Sequence, residues 1–123
     1  MKKKLLSVML GLLALIVVFT SSAFADSSKK SGLFTYEIKG NGTAIITAFD
    51  WKSNGNEDVY IPRMLDGYTV TEIGELAFSN TSATYKNLVG NDVVIVVPDT
   101  ITIIGSKAFF CTPITSINLP SSV

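Results

Sequence analysis

There is no histidine anywhere in this sequence of 123 residues, and its one cysteine is Cys111. The first absence removes Ser-His-Asp and Cys-His nucleophilic catalysis and every His-containing zinc site. A single cysteine can make neither an internal disulfide nor a thiolate zinc site within one chain. Charge of one sign is missing too: ten basic and ten acidic side chains cancel. No electrostatic footprint for nucleic acid results, and no polybasic patch for anionic lipid. An odd cysteine in an exported protein is either a reactive thiol or an intermolecular bridge, or else a small buried hydrophobe. The apolar neighbours Phe109, Phe110 and Ile114 favour burial for Cys111.

Long apolar runs are also scarce, with one exception at the start. Lys2, Lys3 and Lys4 precede the apolar run Leu5 to Phe19, broken only by Ser7 and Gly11. Small polar residues follow, and then Ala23-Phe24-Ala25 before Asp26. A spanning helix needs about 20 apolar residues, so this run is short for a membrane anchor. The order of positive, apolar and A-x-A segments predicts a secretory signal peptide over residues 1–25, cleaved between Ala25 and Asp26. No cysteine stands at the cleavage point, which disfavours a lipid anchor. Residues 26–123 then form a chain of 98 residues with seven basic and ten acidic side chains, a net charge of −3.

Within those 98 residues one block recurs. Residues 61–78 read IPRMLDGYTVTEIGELAF, residues 97–109 read VPDTITIIGSKAF, and residues 119–123, LPSSV, open the block again. Pro98 and Pro120 are 22 residues apart, whereas Pro62 and Pro98 are 36 apart. Two insertions in the first unit, one before Gly74 and one after Phe78, account for the difference. Ile114, Ile117 and Leu119 have the spacing of a repeat strand whose alternate side chains enter a core. The proline after each strand ends it by withholding a ladder donor. Val70 with Ile73, and Ile101 with Ile104, supply a second apolar pair. Gly74 and Gly105 are read as positions whose backbone conformation excludes other residues. Ala77-Phe78 and Ala108-Phe109 close the turn, and the two rings are expected to be equivalent buried fillers between stacked coils.

This pattern resembles the BspA-type leucine-rich-repeat family of bacterial surface proteins. The likeness rests on I-P-x-x-x-D-G-Y-x-V-T-x-I-G-x-x-A-F and on V-P-x-x-I-T-x-I-G-x-x-A-F-x-C-x-x-I-T-S-I-x-L-P, across residues 59–123. The resemblance implies secretion or surface display and binding of protein or extracellular matrix, with no catalytic residues. Cys111 falls where that family often has cysteine, which agrees with burial. Asp66-Gly67-Tyr68 resembles the first repeat of such proteins, which would set residues 59–123 at the start of an array.

The lead-in, residues 26–58, reads as a flexible leader over Asp26 to Gly32 followed by a β-hairpin cap. Phe34, Tyr36 and Ile38 alternate with polar residues, Gly40-Asn41-Gly42 is a turn, and Ala44 to Phe49 is a second strand. Terminal repeats need such a cap. Asp50 to Asp58 reads as a polar loop in which Trp51 is the one large apolar member. Three motifs that could carry chemistry fail. Ser27 and Lys30 have Ser-Lys spacing but lie in the leader, where a nucleophile is neither buried nor oriented. Asn54, Asn56 and Asp58 begin like a calcium loop, but Val59 and Leu65 replace its glycine and its acid. Glu72 and Glu75 read as solvated charges on a turn rather than paired catalytic carboxylates.

The expected architecture is a β-rich leucine-rich-repeat solenoid with short helical turns and an N-terminal β-hairpin cap. Catalytic, cofactor and metal sites are not expected. The candidate binding surface comprises Tyr60, Val96 and Asn118, one outward residue from each repeat strand, and the longer insertion around Tyr85, Lys86 and Asn87. Rival readings are a structural cap or spacer of a larger surface protein, or the non-catalytic part of a larger exported enzyme. Two units and a fragment also leave the strand at Ile114 to Leu119 as an open edge, a template for self-association.

Overall fold

The computed structural model describes residues 27–80, 93–112 and 114–123. The predicted signal, its Ala25-Asp26 junction, and Tyr85, Lys86 and Asn87 lie outside the described residues. The elements are β1 (Ser28–Ser31), β2 (Phe34–Ile38), β3 (Ala44–Phe49), α1 (Trp51–Asn54), β4 (Val59–Tyr60), β5 (Met64–Leu65), β6 (Tyr68–Ile73), β7 (Val93–Val96), β8 (Ile103–Ile104) and β9 (Ile114–Asn118).

The strands form two sheets, and each repeat unit contributes to both. One is wholly parallel, β4-β7-β9, made of the strands that precede Pro62, Pro98 and Pro120. In the other, β3, β6 and β8 are parallel neighbours, while β1 and β2 extend it antiparallel beyond β3. Equivalent turns of the two units are joined as well. Leu76, Phe78 and Asn80 donate N–H bonds forward to the carbonyls of Ser106, Ala108 and Phe110. On the β3-β6-β8 side the sense reverses, with Gly74, Thr102 and Gly105 donating back to Ile46, Thr71 and Ile73.

The expected hairpin is present as β2 and β3, joined at Gly42 and closed by the Lys39 N–H on Thr43 O at 2.7 Å. The expected leader is not a leader over Ser28–Ser31. Those residues pair in register with Phe34 to Glu37, because Gly32 takes a left-handed φ of 57° and turns the chain back on itself. The polar loop also holds α1. Asp50 caps it, its carboxylate accepting from Ser53 N at 3.2 Å and Ser53 Oγ at 2.8 Å. These bonds hold the Asp50 carboxyl below its ordinary pKa. Gly55, left-handed, ends the helix. Trp51 is thereby buried, and its Nε1 donates to Phe78 O at 2.8 Å.

Stacked rings run through the core. Phe49 lies over Phe78 at 5.1 Å, and Phe109 lies on the other side of Phe78 at 5.3 Å, both nearly parallel. The equivalence of Phe78 and Phe109 is therefore positional and not one of burial: Phe78 is fully buried and Phe109 only partly. The same gradation recurs along the parallel sheet, whereas Val70 and Ile101, and Ala77 and Ala108, are buried alike. Val59 and Ile95 are buried where Ile117 is half-buried, and Ile61 and Val97 are buried where Leu119 is 54% exposed. Cys111, expected to be buried, is exposed. Its counterpart Asn80 is buried and bonded to the Phe110 carbonyl of the following unit. Among the described residues no such bond is made by Cys111, whose backbone takes a left-handed φ of 53°.

The glycines need a second correction. Neither Gly74 nor Gly105 has a positive φ. A Cβ at Gly105 would stand 2.6 Å from Glu75 N and 2.7 Å from Gly74 C. One at Gly74 would stand 3.0 Å from Ile46 O. Close approach of successive backbones, rather than conformation, requires glycine there. The left-handed positions of the turns are Leu76 and Lys107, two residues on.

Candidate interaction surface

Alternation along the parallel sheet decides which side chains reach its outer face. Val59, Ile95 and Ile117 share one inward rung. Tyr60, Val96 and Asn118 share the next, in direct register across β4, β7 and β9. The structure thus brings together the three strand residues singled out from the repeat. Tyr60 is 69% exposed, Asn118 is exposed and Val96 is half-buried between them. A further outward pair, Val94 beside Ser116, was not anticipated. The alternation in Val93-Val94-Ile95-Val96 carried that signal. The register shifts beside Val93, where Asp58 Oδ1 accepts the Val94 N–H at 2.9 Å.

No carboxylate, ammonium or guanidinium belongs to β4, β7 or β9. The nearest charged pair in the chain order is Arg63 with Asp99, one residue past Pro62 and Pro98. It bridges successive units but is well exposed on both sides, so solvent screens most of its effect. The other sheet carries Lys39 bound to Glu72. Glu75 is exposed on the turn as expected, but Glu72, expected to be a solvated turn charge, lies in β6 with its side chain largely covered and held by Lys39. Lys30 lies on the exposed strand β1 at 3.8 Å from Asp50. Among the described residues, no group of three Cys, Asp or Glu side chains could hold a metal ion. No helix among them is long and apolar enough to cross a membrane.

The insertion before Gly74 proves to be a hairpin at the edge of the other sheet. β5 and β6 pair antiparallel around Asp66 and Gly67, which have φ of 50° and 89°. Positive φ at both central residues is the type I′ geometry that Asp-Gly favours. Asp66 then accepts Tyr36 Oη at 2.6 Å and Ser31 Oγ at 3.1 Å, tying the insertion to β1 and β2. The Asp66 carboxylate, together with burial, pushes the Tyr36 hydroxyl up to about 12. This three-residue cluster was missed from sequence, since Ser31, Tyr36 and Asp66 are far apart in the chain and form no motif.

No family model and no curated protein matches this chain. Solved structures do. A leucine-rich repeat protein from Bacteroides capillosus is 33% identical, with a TM-score of 0.59 over 76% of this chain and 66% of that one. The leucine-rich-repeat protein of T. pallidum is 27% identical, with a TM-score of 0.58 over 77% of this chain and 41% of its own. A leucine-rich cell surface protein from Faecalibacterium prausnitzii shares the fold at 24% identity and a TM-score of 0.58, covering 82% of this chain. This chain spans only 25% of that last protein. With one strand per unit in each sheet and a glycine where successive backbones meet, this chain has the fold of the bacterial leucine-rich-repeat proteins.

Proposed function

We propose that this chain is a BspA-type module, exported by cleavage after Ala25 and non-catalytic, that binds a protein or extracellular-matrix ligand outside the cell. Its units stack as a solenoid, capped at the N-terminal end by β1, β2 and β3. The contact surface is the outer face of β4-β7-β9, with Tyr60 as its anchor. The observation that carries this reading is the alignment of Tyr60, Val96 and Asn118 on adjacent rungs of an uncharged face. Stacked repeats place such residues in one continuous surface, and tyrosine is among the residues that dominate binding energy. Tyr85, Lys86 and Asn87, in the second insertion, are proposed as a flanking contact.

The test is binding to an immobilised, solubilised basement-membrane matrix. Tyr60→Ala is expected to weaken binding about tenfold or more, the loss of about 1.4 kcal/mol or above that marks a hot spot. Lys107→Ala, on the turn, is expected to leave binding unchanged. The absence of matrix binding, or binding indifferent to Tyr60, would remove this surface from the proposal. A second reading has one observation in its favour. The antiparallel strands β1 and β2 stand at one end only, as in a structural cap for a longer array whose recognition lies elsewhere.

A further inference from the structure

We propose that Asn41 is a site of self-modification: its side-chain amide is lost through attack by the Gly42 nitrogen, leaving aspartate and isoaspartate on the β2-β3 turn. Two Asn-Gly pairs lie among the described residues, Asn41-Gly42 and Asn54-Gly55. In such a pair the glycine nitrogen can reach the asparagine side chain, because no Cβ crowds its approach. Residue type alone treats the two pairs alike, and the fold separates them.

Asn54 is 8% exposed and shares the single turn of α1 with buried Trp51. Its Nδ2 donates to Glu57 O at 2.7 Å, and its carbonyl accepts from Glu57 N at 3.3 Å. Attack there requires α1 to unwind and a covered amide to give up its partner. Asn41, by contrast, is exposed between exposed Gly40 and Gly42. Its Oδ1 accepts from Thr43 N at 3.1 Å and from Thr43 Oγ1 at 2.6 Å. Both donors lie beyond Gly42, so the side chain is folded forward over the Gly42 peptide. Negative charge gathers on Oδ1 as a nitrogen adds to Cγ, and two donors already point at that oxygen, as in an oxyanion hole. One contact opposes the step: the Gly42 N–H donates to Lys39 O at 2.9 Å. That bond belongs to an exposed turn, where local opening costs little. A Cβ at Gly42 would meet nothing within 4 Å, so the peptide has room to rotate.

The chemistry needs only water. The Gly42 nitrogen gives its proton to solvent and bonds to Asn41 Cγ. The Cγ–Nδ2 bond breaks, and the amide nitrogen leaves as ammonia with a proton from water. A cyclic succinimide remains, and water adds to one of its two carbonyls. Opening at Cγ yields aspartate. Opening at the backbone carbonyl yields isoaspartate, with the chain routed through Cβ and Cγ. Either product puts a carboxylate on the turn that carries Lys39. Isoaspartate also lengthens the backbone between Lys39 and Thr43, whose N–H to O bond closes the hairpin.

The experiment holds the purified protein in mildly alkaline buffer and maps its peptides by mass spectrometry over time. Asn41 is expected to convert while Asn54 stays intact, with isoaspartate identified by enzymatic methylation. In urea the two sites should react at similar rates. Thr43→Val removes the hydroxyl and keeps the backbone donor. It is expected to slow Asn41 about fivefold, well short of the roughly 10²–10³ supplied by a water-excluded oxyanion donor. Thr43→Ser should react like the parent. Should Thr43→Val loosen the fold, Asn54 reports it by reacting too, and the two sites of the parent chain still decide. Conversion of Asn54 alongside or ahead of Asn41 in the folded chain would overturn the proposal, as would an Asn41 rate indifferent to the Thr43 hydroxyl. No ligand enters these measurements, so this site and matrix binding through Tyr60 fail separately.

Discussion

Single atoms decide how closely successive coils approach. At Gly105 the missing Cβ is replaced by the backbone of Gly74 and Glu75, which cannot swing aside as a side chain could. Gly105→Ala should therefore cost about 1–3 kcal/mol, as overpacking does. For a domain of this size that lowers the melting temperature by about 4–8 °C per kcal/mol. Gly40→Ala, where nothing lies within 4 Å, should melt like the parent. Equal melting of the two variants would mean that the coils are not in backbone contact at this turn. Tyr36 gives a second residue-level test. Its hydroxyl is raised from 10.0 to about 12 in the folded chain by the bond to Asp66. The protonated form is thus favoured by folding. Its contribution is complete below pH 10 and is lost as pH rises toward 12. Alkaline unfolding should begin earlier in Tyr36→Phe, whose loss is already present at neutral pH, and its stability should be flatter across that window. Urea titrations at pH 8 and 11 would show the difference. These partners were not legible beforehand: a glycine in a repeat announces a constraint, but only coordinates distinguish crowding from a left-handed φ.

For the elements, the repeat was legible wherever periodicity and punctuation coincide. The prolines mark the ends of β4, β7 and β9 closely, and the paired Ile-Gly and Ala-Phe steps mark matching turns. The β2-β3 hairpin followed from alternation around a glycine turn. Local polarity misled in two places. β1 is polar because it is an edge, not because it is loose, and α1 is a single turn set by its cap at Asp50 and its stop at Gly55, too short for helical periodicity. Burial was misjudged for a different cause. Phe78 has a ring stacked on it from Phe49 and another from Phe109, whereas Phe109 stacks on Phe78 alone among the described residues. Phe78→Ala should accordingly cost about 3–5 kcal/mol, and Phe109→Ala distinctly less. Equal losses in denaturant titration would show that the two rings are equally covered.

Across the whole molecule, the outward row Tyr60, Val96 and Asn118 was legible because it follows from counting back from three prolines. The direction of the ladder bonds has its own consequence for molecules built this way. On the turn side peptide N–H groups point forward along the stack, at Leu76, Phe78 and Asn80. On the β3-β6-β8 side they point backward, at Gly74, Thr102 and Gly105. In an α-helix all peptide dipoles share one sense and sum to about half an elementary charge at each end. Here these turn bonds run in opposite senses, and within the parallel ladders neighbouring strands exchange bonds both ways, so strand dipoles largely cancel. Coils are thus joined without the aligned sum of dipoles that charges the ends of a helix.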